Sequence, residues 1–362
     1  MNVYIATIIM AVFAMLVQIS LVLKNSALAK NVKTGIILSS VMIIVGASSE
    51  CLGVVFNGSD PVWRIPHMLV KFMELSVAPA IPVAFAAAFN RIKPLRFFSI
   101  ILVVHAVAEF LSMFLGTIFY VDADNVYHHC KFYVIYYVMY FTGIVFLIVQ
   151  IVRFSRRFQS QNKLSVFLIL SFLLTGILAQ AIDSSLRIVW MTIAFAAILF
   201  YIYYCDLIQQ IDSLTELLNR RIYATRIREE KNRVGILIMD INGFKAMNDT
   251  YGHQFGDACL ATIGKAIKEA YGKAGLCYRI GGDEFCVILD HHIAEADKLN
   301  TEFNKILAQK RLKESRLPDV SVGYTIFEPD QMSMDEAIAD ADQKMYEMKE
   351  KAAALSEANT KI

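Results

Sequence analysis

Long apolar segments in the first half of the chain constrain its fold more than any other feature. Hydrophobic residues make up 56% of the 362 residues and charged residues 19%. The excess of apolar residues is located before residue 205. A membrane-spanning helix needs about 20 mostly apolar residues. Seven such runs occur, at about 3–23, 35–56, 67–89, 96–119, 132–152, 164–182 and 186–204. The sequence therefore predicts an α-helical polytopic membrane domain of seven helices over residues 1–204.

The charges in the connecting loops predict how this domain is oriented. Basic residues concentrate in the first, third and fifth loops: Lys24, Lys30 and Lys33; Arg91, Lys93 and Arg96; Arg153, Arg156, Arg157 and Lys163. Loops rich in lysine and arginine stay in the cytoplasm. We therefore expect the N-terminus outside and the C-terminal half in the cytoplasm. The first run has no basic segment before it and lysines after it, which favours an uncleaved helix over a signal peptide.

Several ionisable residues lie inside the predicted helices, where they need a partner or a cavity. They are Glu50, Lys71, Glu74, His105 and Glu109. Lys71 and Glu74 are three residues apart and share a helix face, and Pro79 and Pro82 should kink the same helix. One hypothesis is a sensor pocket for a small extracellular ligand, formed by Glu50, Lys71, Glu74 and Glu109. The alternative is that these residues pair only for packing.

The six cysteines show neither a CxxC motif nor a zinc-site spacing. We expect Cys259, Cys277 and Cys286 to be buried thiols. Whether Cys51 and Cys130 pair as a disulfide is left open by the sequence.

The junction between the two halves has a helical apolar stripe. Its members are Leu207, Ile211, Leu214 and Leu218, at positions i, i+4, i+7 and i+11. We expect a signalling helix or linker over 205–218, within a helix that covers about 206–230. The stripe could pair two subunits as a short coiled coil or pack on the soluble domain.

The C-terminal half predicts an α/β sandwich with a largely antiparallel sheet, because strands and helices follow in mixed order. Strands are expected at 234–240, on both sides of Gly281-Gly282 and at 320–327. A short helix is expected through Phe244 and Asn248, and a longer helix is expected to begin near Asp257. Two more helices are expected at about 293–310 and at about 333–352.

Three carboxylates mark a candidate metal site. Asp240 ends a buried apolar strand, and Asp283 and Glu284 follow the Gly-Gly turn of a predicted hairpin. If these strands are neighbours, the carboxylates meet at one end of the sheet. Hard oxygen ligands suit Mg²⁺, which also takes phosphate oxygens.

Four ordered blocks resemble the GGDEF diguanylate cyclase family over about 206–352. They are Asp212–Arg221, Asp240–Asp257, Arg279–Phe285, and Ser321–Gly323 with Ala339–Tyr346. The resemblance implies a GGDEF domain, which we place at 206–354 before a C-terminal tail at 355–362. It also implies a bacterial cell membrane as the location.

The resemblance implies synthesis of cyclic di-GMP from two GTP, with release of two pyrophosphates, by two facing subunits. By position, Asp240, Asp283, Glu284 and the carbonyl of Ile241 resemble ligands of Mg²⁺ or Mn²⁺. Glu284, Asp283 and Lys245 resemble the catalytic set. The residues that resemble the substrate-binding set are Gly243, Phe244, Asn248, His253, Asp257 and Lys349.

Two positions depart from the family pattern. Ala353 stands where a second cation would follow Lys349, which predicts weaker triphosphate binding. Gly272 and Gly275 stand where an inhibitory product site would have arginine and aspartate, which predicts no product inhibition there.

A non-enzymatic alternative stays open. The domain could bind GTP or a partner protein and signal by contact, as a catalytically weak or inactive receptor. Nucleic-acid binding is not expected, because the sequence has no basic stripe and no matching motif.

Overall fold

The computed structural model describes residues 2–89, 93–157, 163–183 and 186–360. Arg91 of the third loop lies outside these ranges, as do residues 361–362 of the predicted tail. The chain divides into two compact units, Met1–Cys205 and Asp206–Ile362. Each unit is described by itself below.

Each of the seven predicted apolar runs overlaps at least one helix. The helices are α1 Asn2–Lys24, α2 Lys30–Phe56, α3 Arg64–Val77, α4 Ala80–Phe89, α5 Lys93–Leu115, α6 Val134–Arg157, α7 Lys163–Ile182 and α8 Val189–Gln209. In the described ranges, five helices are long and apolar enough to cross a membrane. A sixth span results if the bent pair Pro61–Val77 and Ala80–Ala87 is counted as one.

The sixth predicted span, 164–182, corresponds to a shorter apolar stretch, Leu164–Gln180. By length and composition, the structure thus supports five or six spans, which is fewer than the seven predicted. The third run is broken rather than continuous, with a bend of 43°. Pro79 and Pro82 cause such a break because proline lacks a backbone donor and clashes with the preceding turn.

A small antiparallel hairpin lies between α5 and α6, formed by β1 Phe119–Val121 and β2 Tyr127–His129. The Ser112 hydroxyl accepts hydrogen bonds from the backbone N–H groups of Ile118 and Phe119, at 2.8 and 3.0 Å. The Asn125 amide donates to the carbonyl of Phe56 at 2.7 Å. These contacts hold the hairpin against α2 and α5.

The C-terminal unit is an α/β sandwich, as predicted. Its elements are α9 Arg220–Glu229, β3 Val234–Ile241, α10 Phe244–Tyr251, α11 His253–Tyr271, β4 Gly275–Arg279, β5 Glu284–Leu289, α12 Ala296–Arg311, β6 Val320–Phe327 and α13 Met334–Thr360. The four strands are antiparallel in the order β4-β5-β3-β6.

The central strand β3 is buried on both faces because successive side chains point to opposite sides of a sheet. Leu237, Met239 and Ile241 join a core with residues of α11 and α12. Ile236 and Ile238 join a second core with residues of α9 and α13. Helices therefore cover both faces of the sheet.

The helix predicted over 206–230 is wrong, because α8 ends at Gln209 and α9 begins at Arg220. Between them, Ile211 and Leu218 form an antiparallel bridge, and Leu218 also bridges Tyr278. The Asp212 carboxylate accepts hydrogen bonds from the backbone N–H and the hydroxyl of Thr215, at 2.9 and 2.7 Å. Leu218 is consequently buried in the domain core, so the predicted helical stripe does not form.

Two further helix boundaries differ from the predictions. Helix α11 begins at His253, so Asp257 lies one turn inside it rather than at its N-terminus. Helix α13 continues to Thr360, so the predicted tail is helical as far as the chain is described. Cys51 and Cys130 are free thiols, and Cys259, Cys277 and Cys286 are buried.

Candidate functional site

The pairing of β3 with β5 brings the predicted metal-binding acids to one end of the sheet. Asp240 lies directly opposite Glu284 in the antiparallel register. Asp283 immediately precedes β5, and its carbonyl accepts a hydrogen bond from Ile241 at 3.3 Å. The sequence pattern placed these acids near strand ends, but only the register makes them neighbours.

Asp240 is nearly enclosed, with 7% of its surface exposed. Its Oδ1 atom lies 2.6 Å from the Nζ of Lys349 on α13. In the part of the chain that the structure describes, no three His, Cys, Asp or Glu side chains converge as they would around a metal ion. Mg²⁺ commonly binds one or two protein carboxylates together with phosphate and water. The acids at this end of the sheet can supply that number of carboxylate ligands.

The Gly281-Gly282 turn has little room for a side chain at its first position. A Cβ at Gly281 would lie 2.4 Å from Oε2 of Glu284. The N–H groups of Ile280 and Gly281 both donate to the carbonyl of Glu284, at 3.0 and 3.3 Å. The turn is therefore tight and presents Asp283 and Glu284 at the end of the sheet.

Arg279 ties this turn to the segment that follows α8. Its Nη2 donates to the carbonyl of Gly282 at 2.7 Å. Its Nη1 lies 3.1 and 3.3 Å from the two carboxylate oxygens of Asp212. Sequence analysis assigned no role to either charge, although opposite charges in two separate motif blocks were a usable signal.

The same contacts set the protonation of Asp212. Burial alone would raise the pKa of its carboxyl, but the hydrogen bonds from Thr215 and the Arg279 guanidinium outweigh burial and lower it. Asp212 therefore stays ionised within this cluster.

The loop after β3 is built for close approach of a ligand to the backbone. Gly243 has a φ of 64° and precedes the first turn of α10, so the N–H groups of Gly243 and Phe244 lie at a helix N-terminus. Such N-termini favour phosphate binding. Lys245 in the next position is exposed.

The predicted guanine-binding residues lie on α10 and α11. Asn248 has a buried Oδ1 with no hydrogen-bond partner among the described residues. A Cβ at Gly256 would lie 1.9 Å from that oxygen, so the helices approach closely beside the exposed Asp257. His253 is also exposed, at the start of α11. Sequence analysis missed the role of Gly256.

Helix α13 is fixed tightly on β6. A Cβ at Gly323 would lie 1.9 Å from the carbonyl of Ala341. Asp340 hydrogen-bonds Thr325 of β6, and Lys344 Nζ contacts Asp340 at 2.6 Å. These contacts determine where Lys349 enters the site.

In the N-terminal unit, Glu50, Lys71 and Glu74 of the predicted sensor pocket interact with one another, whereas Glu109 lies beside His105. Lys71 Nζ lies 2.8 Å from Glu74 Oε2 and 4.8 Å from the centroid of the Tyr127 ring. Glu109 is fully buried, and within the described residues neither of its carboxylate oxygens has a hydrogen-bond partner. Its Oε1 lies 3.6 Å from Nε2 of His105. Glu50 forms a hydrogen bond with Trp190 and interacts electrostatically with Lys71 and Glu74.

Comparisons with known proteins define the class of the C-terminal unit. Residues 209–354 match the family model described as diguanylate cyclase, GGDEF domain. The C-terminal unit of this chain is therefore a GGDEF domain.

Individual relatives match the same region. Diguanylate cyclase VdcA of Vibrio cholerae is 30% identical over 147 residues, which are 38% of this chain and 43% of that protein. Diguanylate cyclase DosC of Escherichia coli K12 is 33% identical over 124 residues, or 32% of this chain and 27% of that protein. This chain thus matches less than half of the length of either relative.

Among solved structures, the GGDEF domain of DgcB from Caulobacter crescentus in complex with c-di-GMP is 25% identical. That comparison covers 39% of this chain and 90% of the DgcB chain, with a TM-score of 0.34.

Proposed function

We propose that this protein is a membrane-bound diguanylate cyclase that condenses two GTP to cyclic di-GMP and two pyrophosphates. The observation that carries the proposal is the β3–β5 register, which sets Asp240 opposite Glu284 beside Asp283. The match of 209–354 to the GGDEF family supports the same conclusion.

The reaction requires two nucleotides in opposed orientation, which two copies of this domain would hold. The 3′-oxygen of each GTP forms a bond to the α-phosphorus of the other, and the bond from that phosphorus to pyrophosphate breaks. Glu284 accepts the proton of the 3′-hydroxyl. Mg²⁺ or Mn²⁺, held by Asp240 and Asp283 with the Ile241 carbonyl and with Glu284 as the adjacent acid, would supply charge neutralisation at the phosphates.

The protein's own residues bind and position the substrate. The N–H groups of Gly243 and Phe244, with Lys245 and Lys349, contact the phosphates. Asn248, Asp257 and His253 contact guanine. The unsatisfied Asn248 Oδ1 is suited to a guanine N–H donor, because a buried acceptor without a donor costs free energy.

We also propose that residues 1–204 form a seven-helix sensor domain in the bacterial inner membrane, in contact with lipid. The basic loops favour an external N-terminus and a cytoplasmic GGDEF domain. Within that domain, Glu50, Lys71, Glu74 and Glu109 form a sensor pocket for a small extracellular ligand. The buried Glu109 carboxylate supports this, because it has no hydrogen-bond partner among the described residues.

The central test is product formation by the full chain in lipid nanodiscs with GTP and Mg²⁺, followed by mass spectrometry. We expect cyclic di-GMP from the wild type and a loss of about 10²–10³-fold in rate for Asp240→Asn, which removes a charge aimed at the phosphates. GTP binding without any cyclic di-GMP would instead establish the contact-signalling receptor.

The sensor pocket has a separate test in living cells. Glu109→Gln keeps the size of the side chain and removes its charge, and we expect it to change how cyclic di-GMP levels respond to extracellular medium. Glu302→Gln, an exposed carboxylate of α12, is the control. If folded Glu109→Gln protein gave the same change in cyclic di-GMP level as the wild type when the extracellular medium is changed, the sensor pocket would be refuted.

A further inference from the structure

A lysine lies against the carboxylate at which a metal ion would bind. Lys349 Nζ is 2.6 Å from Asp240 Oδ1, and the side chain of Asp240 is 10% exposed while that of Lys349 is 38% exposed. In the described ranges this is the one ion pair that Asp240, Asp283 or Glu284 makes. The contact is short and charge-assisted.

The position of Lys349 follows from the packing of α13. Gly323 lets α13 approach the backbone of β6, and the sulfur of Met348 accepts a hydrogen bond from Val322 at 3.4 Å. Met348 therefore anchors the helix one residue before Lys349. Another α13 lysine, Lys344, donates to Asp340 and to the carbonyl of Tyr324, at 2.6 and 3.3 Å.

We propose that Lys349 is the resident counter-cation of Asp240 and exchanges this carboxylate for a nucleotide phosphate. This proposal rests on the proposed function in taking Asp240 as a metal ligand and Lys349 as a phosphate contact. Without nucleotide, the ammonium neutralises Asp240 and competes with a divalent cation for it. When a triphosphate enters, Lys349 transfers to it and releases Asp240.

The exchange makes binding of metal and nucleotide cooperative. An ammonium 2.6 Å from Asp240 Oδ1 repels a divalent cation that binds the same carboxylate, so each cation weakens the binding of the other. A triphosphate offers Lys349 another anion and so removes the competitor. By linkage, nucleotide and metal then strengthen each other's binding to the same extent.

The first test measures Mn²⁺ binding to the full chain without nucleotide. The chain is placed in phosphatidylcholine nanodiscs, and free Mn²⁺ is followed by its electron paramagnetic resonance signal, with Asp240→Asn as the background. We expect Lys349→Gln to bind Mn²⁺ about tenfold more tightly than the wild type, equivalent to ~1.4 kcal/mol.

Lys351→Gln is the matched control, because it removes the same charge from an exposed position on the same helix. We expect it to match the wild type. Equal Mn²⁺ affinity of Lys349→Gln and the wild type, or an equal gain in Lys351→Gln, would overturn the proposal.

A second measurement keeps Lys349 in place and uses GTP with EDTA. Asp240→Asn frees the lysine, whereas Glu284→Gln removes the same charge from the opposite strand position and leaves the ion pair intact. We expect tighter metal-free GTP binding in Asp240→Asn than in Glu284→Gln. Equal affinities would contradict the exchange.

These binding results are independent of turnover. A chain that shows the expected Mn²⁺ and GTP differences but makes no cyclic di-GMP would retain the exchange and refute the proposed cyclase. A chain that makes cyclic di-GMP without those differences would retain the cyclase and refute the exchange.

Discussion

Asn248 is the residue whose surroundings say most about ligand recognition. Its Oδ1 is buried and has no hydrogen-bond partner in the described part of the chain, and the neighbouring helix approaches it at a glycine. An unsatisfied buried acceptor is costly and is typical of a site that a ligand completes. Asp257, one residue after that glycine, extends the same surface to solvent.

Gly256→Ala should damage GTP binding because its Cβ would lie 1.9 Å from Asn248 Oδ1. The amide of Asn248 must rotate away, so its proposed hydrogen bond to guanine is lost. We expect the KM for GTP to rise about tenfold, which corresponds to ~1.4 kcal/mol for one hydrogen bond. Steady-state kinetics on the full chain measures the effect. In an Asn248→Ala background the same substitution should cost little more, since the clash is gone; additive losses would argue against this contact.

Gly272 and Gly275 bear on feedback at the residue scale. A Cβ at Gly275 would lie 2.0 Å from the carbonyl of Ile288, so the packing between β4 and β5 excludes a side chain there. We expect added cyclic di-GMP to leave the initial rate of synthesis unchanged. A rate that falls with added product, in a chain that binds product at one extra site, would contradict this prediction.

At the scale of elements, the Asp212–Arg279 contact connects two segments that are far apart in sequence. It holds the turn after α8 against the hairpin that presents Asp283 and Glu284. The helix predicted through 207–218 does not form, because the Asp212–Thr215 hydrogen bonds close a turn. Glu216, in the same segment, has a left-handed φ of 58°.

The Asp212 contact predicts a pH dependence of stability. Because the folded-state pKa of Asp212 is lowered, its stabilisation is present above its ordinary value of about 3.9 and is lost as pH falls through the folded-state pKa. We expect Asp212→Asn to lower the free energy of unfolding by about 1–2 kcal/mol at pH 7, with the difference shrinking in acid.

Pulse proteolysis of the C-terminal unit in urea measures this difference within the full chain. Asp330→Asn, in an exposed loop, is the control and should match the wild type at every pH. A difference for Asp212→Asn that stays constant down to strongly acidic pH would show that charge is not its cause.

At the scale of the whole molecule, an apolar helical unit and a GGDEF unit occupy one chain. Under the proposed function, a signal sensed in the first unit changes the geometry or pairing of the second. The apolar helices carry large exposed side chains, such as Phe13, Phe141 and Phe167, which is the expected surface of a protein in lipid.

The proposed orientation makes a prediction for protease access in intact spheroplasts. A cleavage site inserted at Asp124, in the hairpin between α5 and α6, should be cut by external protease. Sites inserted at Ser26 and at His291 should be cut only after lysis, because the proposed orientation puts the positive loops and the GGDEF domain inside. Cutting at Ser26 in intact spheroplasts would reverse the proposed topology.

The sequence by itself determined the division of the chain, the apolar runs, the antiparallel α/β class and the identity of the motif residues. These properties depend on local composition and on periods of 2 or 3.6 residues, which are visible in a short window. The hairpin around Gly281-Gly282 was predicted for the same reason.

Only the tertiary structure decided which side chains meet. The Lys349–Asp240 and Arg279–Asp212 contacts join residues 109 and 67 positions apart, and their pairing depends on strand register and on the packing of α13 against β6. The end of α8 at Gln209 was decided in the same way, because long-range burial of Leu218 and hydrogen bonds of Asp212 outweighed a locally helical pattern. Local periodicity carries no information about such distant partners, which is why the sequence could name candidate site residues without showing which side chains contact them.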